Sequence, residues 1–180
     1  MRGILASAIF AAAMVAGCTE SSQVVSTVPA TSSDIATAKN AVSACSSAIP
    51  SFEATQSAFL TRGFQQLETK YAESFQGQKA AFFGVQESGV VAVVFTKGRE
   101  TGCIVQVASM TPEQALGLAQ PWVKKYDGKT NAELGKGLSK KAAQAWEGRA
   151  GNDIVFIAAR KNWRILEDNG AAVRMIQIQR

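Results

Sequence analysis

The residues best suited to chemistry in this chain are its three cysteines, Cys18, Cys45 and Cys103, and the chain contains no histidine. Common enzyme nucleophiles pass their proton to an imidazole, and many zinc and haem sites use imidazole as a ligand. The missing histidine therefore excludes Ser-His-Asp and Cys-His catalysis and histidine-ligated zinc or haem. No Cys-x-x-Cys pair is present. We therefore expect no metal and no cofactor.

The segment before Cys18 is typical of a secretory signal. Arg2 supplies one positive charge, and residues 3–17 carry none. As a helix this run would be about 22 Å long, at about 1.5 Å per residue, whereas a bilayer core is about 30 Å thick. We therefore expect residues 1–17 to be a removable signal peptide rather than a permanent membrane-spanning helix.

Val15-Ala16-Gly17-Cys18 resembles the lipobox of bacterial lipoproteins, in which an aliphatic residue and two small residues precede a cysteine. The resemblance covers only the first 18 residues. It implies that Cys18 is acylated by palmitate-like chains, which would anchor the protein in a lipid bilayer because each buried methylene contributes about 0.8 kcal/mol. Thr19, where an aspartate would imply retention in the inner membrane, implies the outer membrane. The alternative is an ordinary cleaved signal that leaves Cys18 as an odd thiol.

The other two cysteines are expected to form a disulfide. A secreted chain folds in an oxidising compartment, where paired thiols normally oxidise. Cys45 lies on the apolar stripe of the first predicted helix, and Cys103 begins a predicted strand. The bond would join helix to sheet and stabilise the fold by about 4 kcal/mol at most, from loop entropy. A thiol nucleophile or a metal ligand is the alternative use of these residues.

The carboxylates offer little evidence of catalysis. Six of them fall mainly in predicted turns or at element ends: Glu87, Glu100, Asp127, Asp153, Glu167 and Asp168. A glycosidase would need two carboxylates about 5–9.5 Å apart in a cleft. No phosphate-binding glycine motif is present, since the nearest fragment, Gly135-Lys136, lacks both the first glycine and the following Ser or Thr. We therefore expect a non-enzymatic protein.

The charge of the chain is uneven. Residues 18–100 hold six basic and seven acidic side chains, whereas residues 101–180 hold twelve basic and seven acidic. A lysine cluster accounts for part of this excess: Lys124, Lys125, Lys129, Lys136, Lys140 and Lys141. Such a cluster can attract an envelope protein or another anionic surface, while nucleic acid is not expected in this compartment. The alternative is a solvated helix face and loop.

Three tryptophans complete the candidate residues. Trp122, Trp146 and Trp163 could line a ligand pocket. Large aromatic residues at helical and strand spacings more often belong to the core, which we expect here.

The first part of the folded region alternates between helix and strand patterns. Asp34 is a candidate N-cap for a helix that ends at Pro50, and Ser51 can cap a second helix that ends near Gly63. Residues 65–78 fit either helix or strand. Three strands are predicted beyond them, over residues 80–86, 90–96 and 103–109, and the second of these is expected to be covered on both faces.

The second part begins with a strong helix signal. Thr111-Pro112-Glu113-Gln114 predicts a capping box, and the stripe behind it is Leu116, Ala119, Val123 and Tyr126. A loop is expected over residues 130–138, a helix from Ser139 to Trp146, and strands over residues 153–159 and 171–179. The order helices, three strands, helices, two strands predicts an α+β fold, a two-layer sandwich with one antiparallel sheet of about five strands packed against helices.

The chain is thus expected to have three parts. These are a signal peptide over residues 1–17, a lipidated Ser/Thr-rich tether over residues 18–33 and one periplasmic domain over residues 34–180. The domain also loosely resembles small uncharacterised lipoproteins of proteobacteria. The resemblance rests on a cysteine in the first helix, a Phe-rich second helix ending at Gly63-Phe64, and Gly102-Cys103-Ile104-Val105. It supports the disulfide and implies no activity.

The expected function is therefore a membrane-anchored envelope lipoprotein with a non-catalytic binding or assembly domain. One alternative is a domain that binds a small ligand or lipid, which would need an apolar pocket. The other is a carboxylate-dependent cell-wall enzyme, which would need a converging acid pair.

Overall fold

The computed structural model describes residues 30–68, 75, 77–134, 142–161 and 170–180. These residues form three long helices and eight strands. The elements follow one another in the order α1 (Ser32–Ala48), α2 (Phe52–Thr61), β1 (Gln65–Leu67), β2 (Lys79–Gly84), β3 (Val90–Lys97), β4 (Glu100–Val107), α3 (Pro112–Lys125), β5 (Lys129–Thr130), β6 (Ala142–Ala150), β7 (Asp153–Lys161) and β8 (Ala171–Ile178).

All eight strands belong to one antiparallel sheet with the order β1-β2-β3-β4-β8-β7-β6-β5. The α+β class is confirmed, and so are the five predicted strands. The expected strand number and element order are wrong, because β1, β5 and β6 also join the sheet. In the middle of the sheet, β4 pairs with β8. This pairing joins the half formed by β1 to β4 to the half formed by β5 to β8.

The predicted helix ending at Trp146 is wrong, because the described residues there form β6. Ser139, its expected N-cap, lies outside the described residues. Alanines at 142, 143 and 145 favour a helix locally. In the fold, β6 instead pairs with β7 along its length, and Trp146 lies opposite Ile157 on the core side of the sheet. This long-range pairing outweighs the local preference.

The helices cover one face of the sheet. α1 packs against β3 and β4, α2 against β3, and α3 against β6, β7 and β8. β3 is apolar on both faces, as expected: Val90, Ala92 and Val94 face the helices. Val93 and Phe95 lie in a second cluster on the other face, where the ring of Phe75 packs 5.7 Å from that of Phe95.

The helix ends follow the sequence signals with one exception. Ser51 accepts a hydrogen bond from the Ala54 N–H, and Thr111 forms the expected capping box with Gln114. The N-cap of α1 is Thr31, and Asp34 is the N3 residue of a capping box, so the expectation of Asp34 as N-cap is wrong. Thr31 is the better cap because its short hydroxyl reaches the Asp34 N–H while the carboxylate returns to the Thr31 N–H.

The inward face of α3 agrees only in part with the expected stripe, of which Ala119 and Tyr126 are buried. Leu116 and Val123 are only partly buried, whereas the buried positions are Ala115, Leu118, Ala119 and Trp122. The indole of Trp122 sets this rotation, because its Nε1 donates a 2.9 Å hydrogen bond to the Val42 carbonyl of α1. A large ring with a satisfied donor stabilises this face more than two smaller aliphatic side chains could.

The predicted disulfide is present between Cys45 of α1 and Cys103 of β4. Both cysteines are fully buried, and their Cα atoms are 6.0 Å apart. The bond joins residues 58 positions apart and holds the middle helix of the covering layer on a central strand.

We predict that the native domain has no free thiol at Cys45 or Cys103. In a Cys18→Ser background, alkylation should label neither cysteine until denaturant and reductant are both added, because both sulfurs are buried. Replacing the two cysteines by alanine should lower the free energy of unfolding by up to about 4 kcal/mol, measured in urea. Labelling of two thiols in native protein would contradict the bond.

Asp34 yields a second prediction, because it also accepts a 3.1 Å hydrogen bond from the Gly89 N–H at the β2–β3 turn. The Thr31 hydroxyl, followed by the N–H groups of Gly89 and Thr31, holds the pKa of Asp34 below its ordinary value of 3.8, against the opposing effect of burial. Asp34→Ala should lower the free energy of unfolding by about 1 kcal/mol at pH 7.

The pH dependence of this loss follows from the lowered pKa. The contribution of Asp34 is complete above pH 3.8 and is lost as the pH falls through the lower pKa of the folded state. Urea unfolding of Asp34→Ala and of the neighbouring control Ser33→Ala should distinguish the loss of the Asp34 hydrogen bonds from a general effect of alanine in the first turn. The free energy of unfolding of the control should change by less than about 0.5 kcal/mol. Equal losses in both variants at pH 7 would argue against the capping role.

Candidate functional site

The residues proposed from sequence fall in three groups. Cys18, Lys136, Lys140 and Lys141 lie outside the described residues. Lys124 and Lys125 occupy the last turn of α3, and Lys129 lies in β5. The three described lysines are exposed and close in sequence to the end of α3.

A Schellman motif terminates α3 and sets the path of the chain into β5. Asp127 has a positive φ of 47°, and the Gly128 N–H donates a 2.8 Å hydrogen bond to the Val123 carbonyl. The two lysines of the last turn stabilise the helix by opposing the partial negative charge at its C-terminus. This structural role is compatible with an additional role in binding.

The described lysines are partly engaged within the domain. The Lys125 Nζ donates to the Ser46 carbonyl at the end of α1 and lies 5.1 Å from the centre of the Tyr126 ring. The Lys129 Nζ lies 2.8 Å from the Asp127 carboxylate, and both side chains are highly exposed. An exposed pair of this kind contributes about 1 kcal/mol or less, so either charge can turn to another partner.

An open groove of about 320 Å³ lies beside these lysines. We call it the polar groove, and its lining is Asp127, Lys129, Thr130, Asn131, Glu147, Gly148 and Arg149. The lysines and the exposed Arg149 together form what we call the basic end: Lys124, Lys125, Lys129 and Arg149. The groove combines cations, carboxylates and neutral hydrogen-bonding groups.

Asn131 fixes one wall of the polar groove. Its Nδ2 donates a 3.0 Å hydrogen bond to Glu147, and its Oδ1 accepts a 2.9 Å hydrogen bond from the Leu134 N–H. The Asn131 N–H also donates to the Ala145 carbonyl of β6. This wall is therefore ordered by contacts within the domain before any partner binds.

Gly148 forms the floor of the groove and allows β6 to approach the end of α3. A Cβ at Gly148 would lie 2.4 Å from the Tyr126 carbonyl oxygen. The neighbouring Arg149 N–H donates a 2.9 Å hydrogen bond to the same oxygen. The side chain of Arg149 is thus placed beside the last turn of α3 by a close contact between two backbones.

Sequence reasoning missed Arg149, Glu147 and Asn131 because it placed a helix and a loop where β5 and β6 lie. A usable signal was present after Ala145. Trp146 and Gly148 alternate with the charged residues Glu147 and Arg149. This period of two is typical of a strand with one buried face.

The other candidate residues do not gather at this groove. Glu87 lies in the β2–β3 turn, far from the groove. Glu100 and Asp153 begin β4 and β7 at the same end of the sheet as Arg149, but neither of them lines the groove. Asp153 accepts a 2.8 Å hydrogen bond from Gln177. Glu167 and Asp168 lie outside the described residues. Among the residues that are described, no group of three or more cysteine, aspartate or glutamate side chains could hold a metal ion.

The described tryptophans belong to the core, as expected. Trp122 is fully buried and Trp146 is 4 % exposed. Trp163 lies outside the described residues.

A buried polar cluster lies on the sheet face opposite the helices. It consists of the buried Gln106 and Arg160 and the partly buried Arg174, which alternate with core residues on β4, β7 and β8. The guanidinium of Arg174 lies 5.2 Å from the centre of the Phe95 ring. Burial and then the neighbouring Arg160 lower the pKa of Arg174 to about 10, against the effect of the Glu100 carboxylate. Each of the three polar side chains takes part in an interaction within the protein, so the cluster contributes to packing.

Comparison with known proteins adds no relative. No protein-family model matches the chain, and no curated protein or solved structure matches it either. Within the described part of the chain, no helix combines the length and the apolar character that crossing a bilayer requires.

Two glycines provide a matched test of how the polar groove is built. Gly148→Ala should lower the free energy of unfolding by about 1–3 kcal/mol, because the added methyl group collides with the Tyr126 backbone. Gly117→Ala should raise it by about 0.5–1 kcal/mol, because Gly117 is an exposed helical glycine with open space beside it. Urea unfolding of both variants measures the difference. If Gly148→Ala left the free energy of unfolding unchanged, β6 and the end of α3 would not be in close contact.

Proposed function

We propose that this protein is a lipid-anchored component of the bacterial cell envelope whose domain binds another envelope component without catalysing a reaction. Acylation at Cys18 would hold it in a bilayer, and Thr19 favours the outer membrane with the domain in the periplasm. The proposal rests on the lipobox-like sequence Val15-Ala16-Gly17-Cys18 at the end of a signal-like segment.

The buried disulfide is the structural observation that supports this location. The thiols of cytosolic proteins are normally kept reduced, whereas periplasmic and secreted domains commonly contain disulfides. Cys45 and Cys103 are bonded, and both are fully buried in the core. A bond at the centre of the fold is compatible with a domain that matures after export.

The start of the domain supports a tethered arrangement. Ala30 packs against the core, and its N–H donates a 3.4 Å hydrogen bond to the Ser109 carbonyl. About eleven residues separate Cys18 from Ala30. If flexible, a chain of this length has an end-to-end distance of about 20 Å. The lipid and the domain would therefore be close neighbours without direct contact.

The basic end supports the proposed binding role. Its four cations are exposed, and the adjoining polar groove offers both donors and acceptors. A small apolar ligand or a lipid chain would require an apolar pocket, which a groove of this lining does not provide. The basic end therefore favours an anionic envelope component as the partner.

Cys18→Ser tests the lipid anchor. The wild-type protein should incorporate a radioactive fatty acid and sediment with membranes, whereas the variant should incorporate none. The variant should appear either in the soluble periplasmic fraction or as an unprocessed precursor. Cys45→Ser with Cys103→Ser is the control, because loss of the disulfide should leave acylation at Cys18 unchanged. Equal labelling of wild-type protein and Cys18→Ser would overturn the proposal.

A further inference from the structure

We propose that the basic end points away from the membrane that holds the lipid and binds a peptide-bearing glycan of the cell wall. Such a polymer offers carboxylates, amides and hydroxyls. The proposal of direction rests on the lipid anchor proposed above, whereas the proposal of binding rests on the basic end and the polar groove.

The chain enters the domain at one end of the sheet, which we call the tether end and define by Ala30, Gly89 and Ser109. The Ala30 N–H bonds to the Ser109 carbonyl, and Asp34 accepts from the Gly89 N–H. The Ala108 N–H donates to the Gly89 carbonyl and joins the two turns to each other. The point of attachment is therefore held by three hydrogen bonds.

The helices α1 and α3 both run from the tether end to the basic end. α3 begins at Pro112, three residues after Ser109, and ends at Lys125, and its 14 residues rise about 21 Å. α1 begins at Ser32 and runs in the same direction, because the Lys125 Nζ reaches the Ser46 carbonyl near its last turn. The length of the domain therefore separates Lys124 and Lys125 from the point of attachment.

The residue pairing between strands shows, independently of the helices, that the basic end lies away from the tether end. The row at the tether end pairs Val90 with Val107, and Val107 with Ala171. The row at the far end pairs Glu100 with Lys97 and with Ile178, and continues through Ile154 to Arg149. Arg149 thus lies in the last row that β3, β4, β8, β7 and β6 share, at the end of the sheet away from the tether.

The charges of the tether end favour the same orientation. Glu87 and Glu113 are exposed there, and Asp34 is partly buried beside them. Carboxylates are repelled by anionic lipid headgroups, whereas lysine and arginine are attracted to an anionic partner. Glu87 and Glu113 would therefore oppose close approach of the tether end to anionic headgroups, although Lys161 lies in the same row of the sheet, paired with Ala171. The four cations of the basic end, with the carboxylates of Asp127 and Glu147 among them, would lie away from the anchoring leaflet.

The lining of the polar groove distinguishes the kind of anionic partner. A flat layer of phosphates would meet the carboxylates of Asp127 and Glu147 as well as the cations. A polymer with carboxylates, amides and hydroxyls can place an acid on Arg149 or Lys124 and hydrogen-bond to Thr130 and Asn131. Mixed charge with neutral polar groups fits this second chemistry better.

The orientation is tested by footprinting exposed lysines with an amine-acetylating reagent in the lipidated full-length protein. Acetylation of each lysine is read by mass spectrometry, and Lys39 on α1 serves as the internal control. Isolated cell-wall sacculi, added to protein in detergent, should protect Lys124 and Lys129 but not Lys39. Vesicles containing phosphatidylglycerol, with the protein inserted by its lipid, should protect neither.

A charge-reversal pair tests the residues themselves. Lys124→Glu with Arg149→Glu should weaken sacculus binding about tenfold at low salt. Lys39→Glu with Arg62→Glu changes the net charge equally but lies away from the basic end, so its effect should be less than about twofold. Circular dichroism should show that both variants are folded.

The outcomes separate the two proposals. Protection of Lys124 and Lys129 by anionic vesicles but not by sacculi would overturn the inference, because the basic end would then face its own membrane. Equal loss of binding in both charge-reversal variants, or no sacculus binding by the wild type, would also overturn it.

Sacculus binding is measured in detergent and does not need lipid at Cys18. A protein without fatty-acid label that still binds sacculi would therefore refute the anchor and leave the binding proposal supported.

Discussion

The rest of the structure depends on the attachment of α1 to its neighbours. Cys45 binds α1 covalently to β4, and the Val42 carbonyl accepts the Trp122 indole N–H of α3. Both residues lie within one turn of the same helix, and both are buried. α1 therefore sets the position of α3 over the sheet, and α3 in turn determines where its last turn delivers Lys124 and Lys125.

The two faces of the sheet illustrate different ways of burying strands. On the helix side, aliphatic residues and cysteines pack under α1 and α3. On the other side, the Phe95 ring lies over Gly102, where a Cβ would come within 2.2 Å of the ring. The missing side chain at Gly102 lets the ring lie flat against the sheet, so that it can pack against both Phe75 and Arg174. A single glycine thereby admits a buried aromatic ring with a cation beside it.

The direction of the domain follows from these attachments. Because α1 and α3 run the same way from the tether end, the cations at the end of α3 and the start of the domain lie at opposite ends. Gly148 then brings β6 against Tyr126 and adds Arg149 to the same surface. The placement of these cations at the end of the domain away from Ala30 is thus a consequence of helix packing and one close backbone contact.

The sequence by itself determined the local features of this protein. Short-range patterns predicted the strands β2, β3, β4, β7 and β8 and the caps at Ser51 and Thr111. They also predicted the Cys45–Cys103 bond, because only two cysteines remained once Cys18 was assigned to lipid. These features depend on residues close in sequence or on elimination among few candidates.

The tertiary structure alone decided the features that depend on distant partners. β6 is rich in alanine and becomes a strand only because β7 pairs with it, and β5 has two residues that no periodicity could reveal. The inward face of α3 was decided by the hydrogen bond from Trp122 to a helix 80 residues earlier. The polar groove likewise exists only where β5, β6 and the end of α3 meet. Local sequence determines only the preference of a segment for helix or strand. Strand pairing and burial between distant segments contribute larger free energies, and these determine which of the two structures forms.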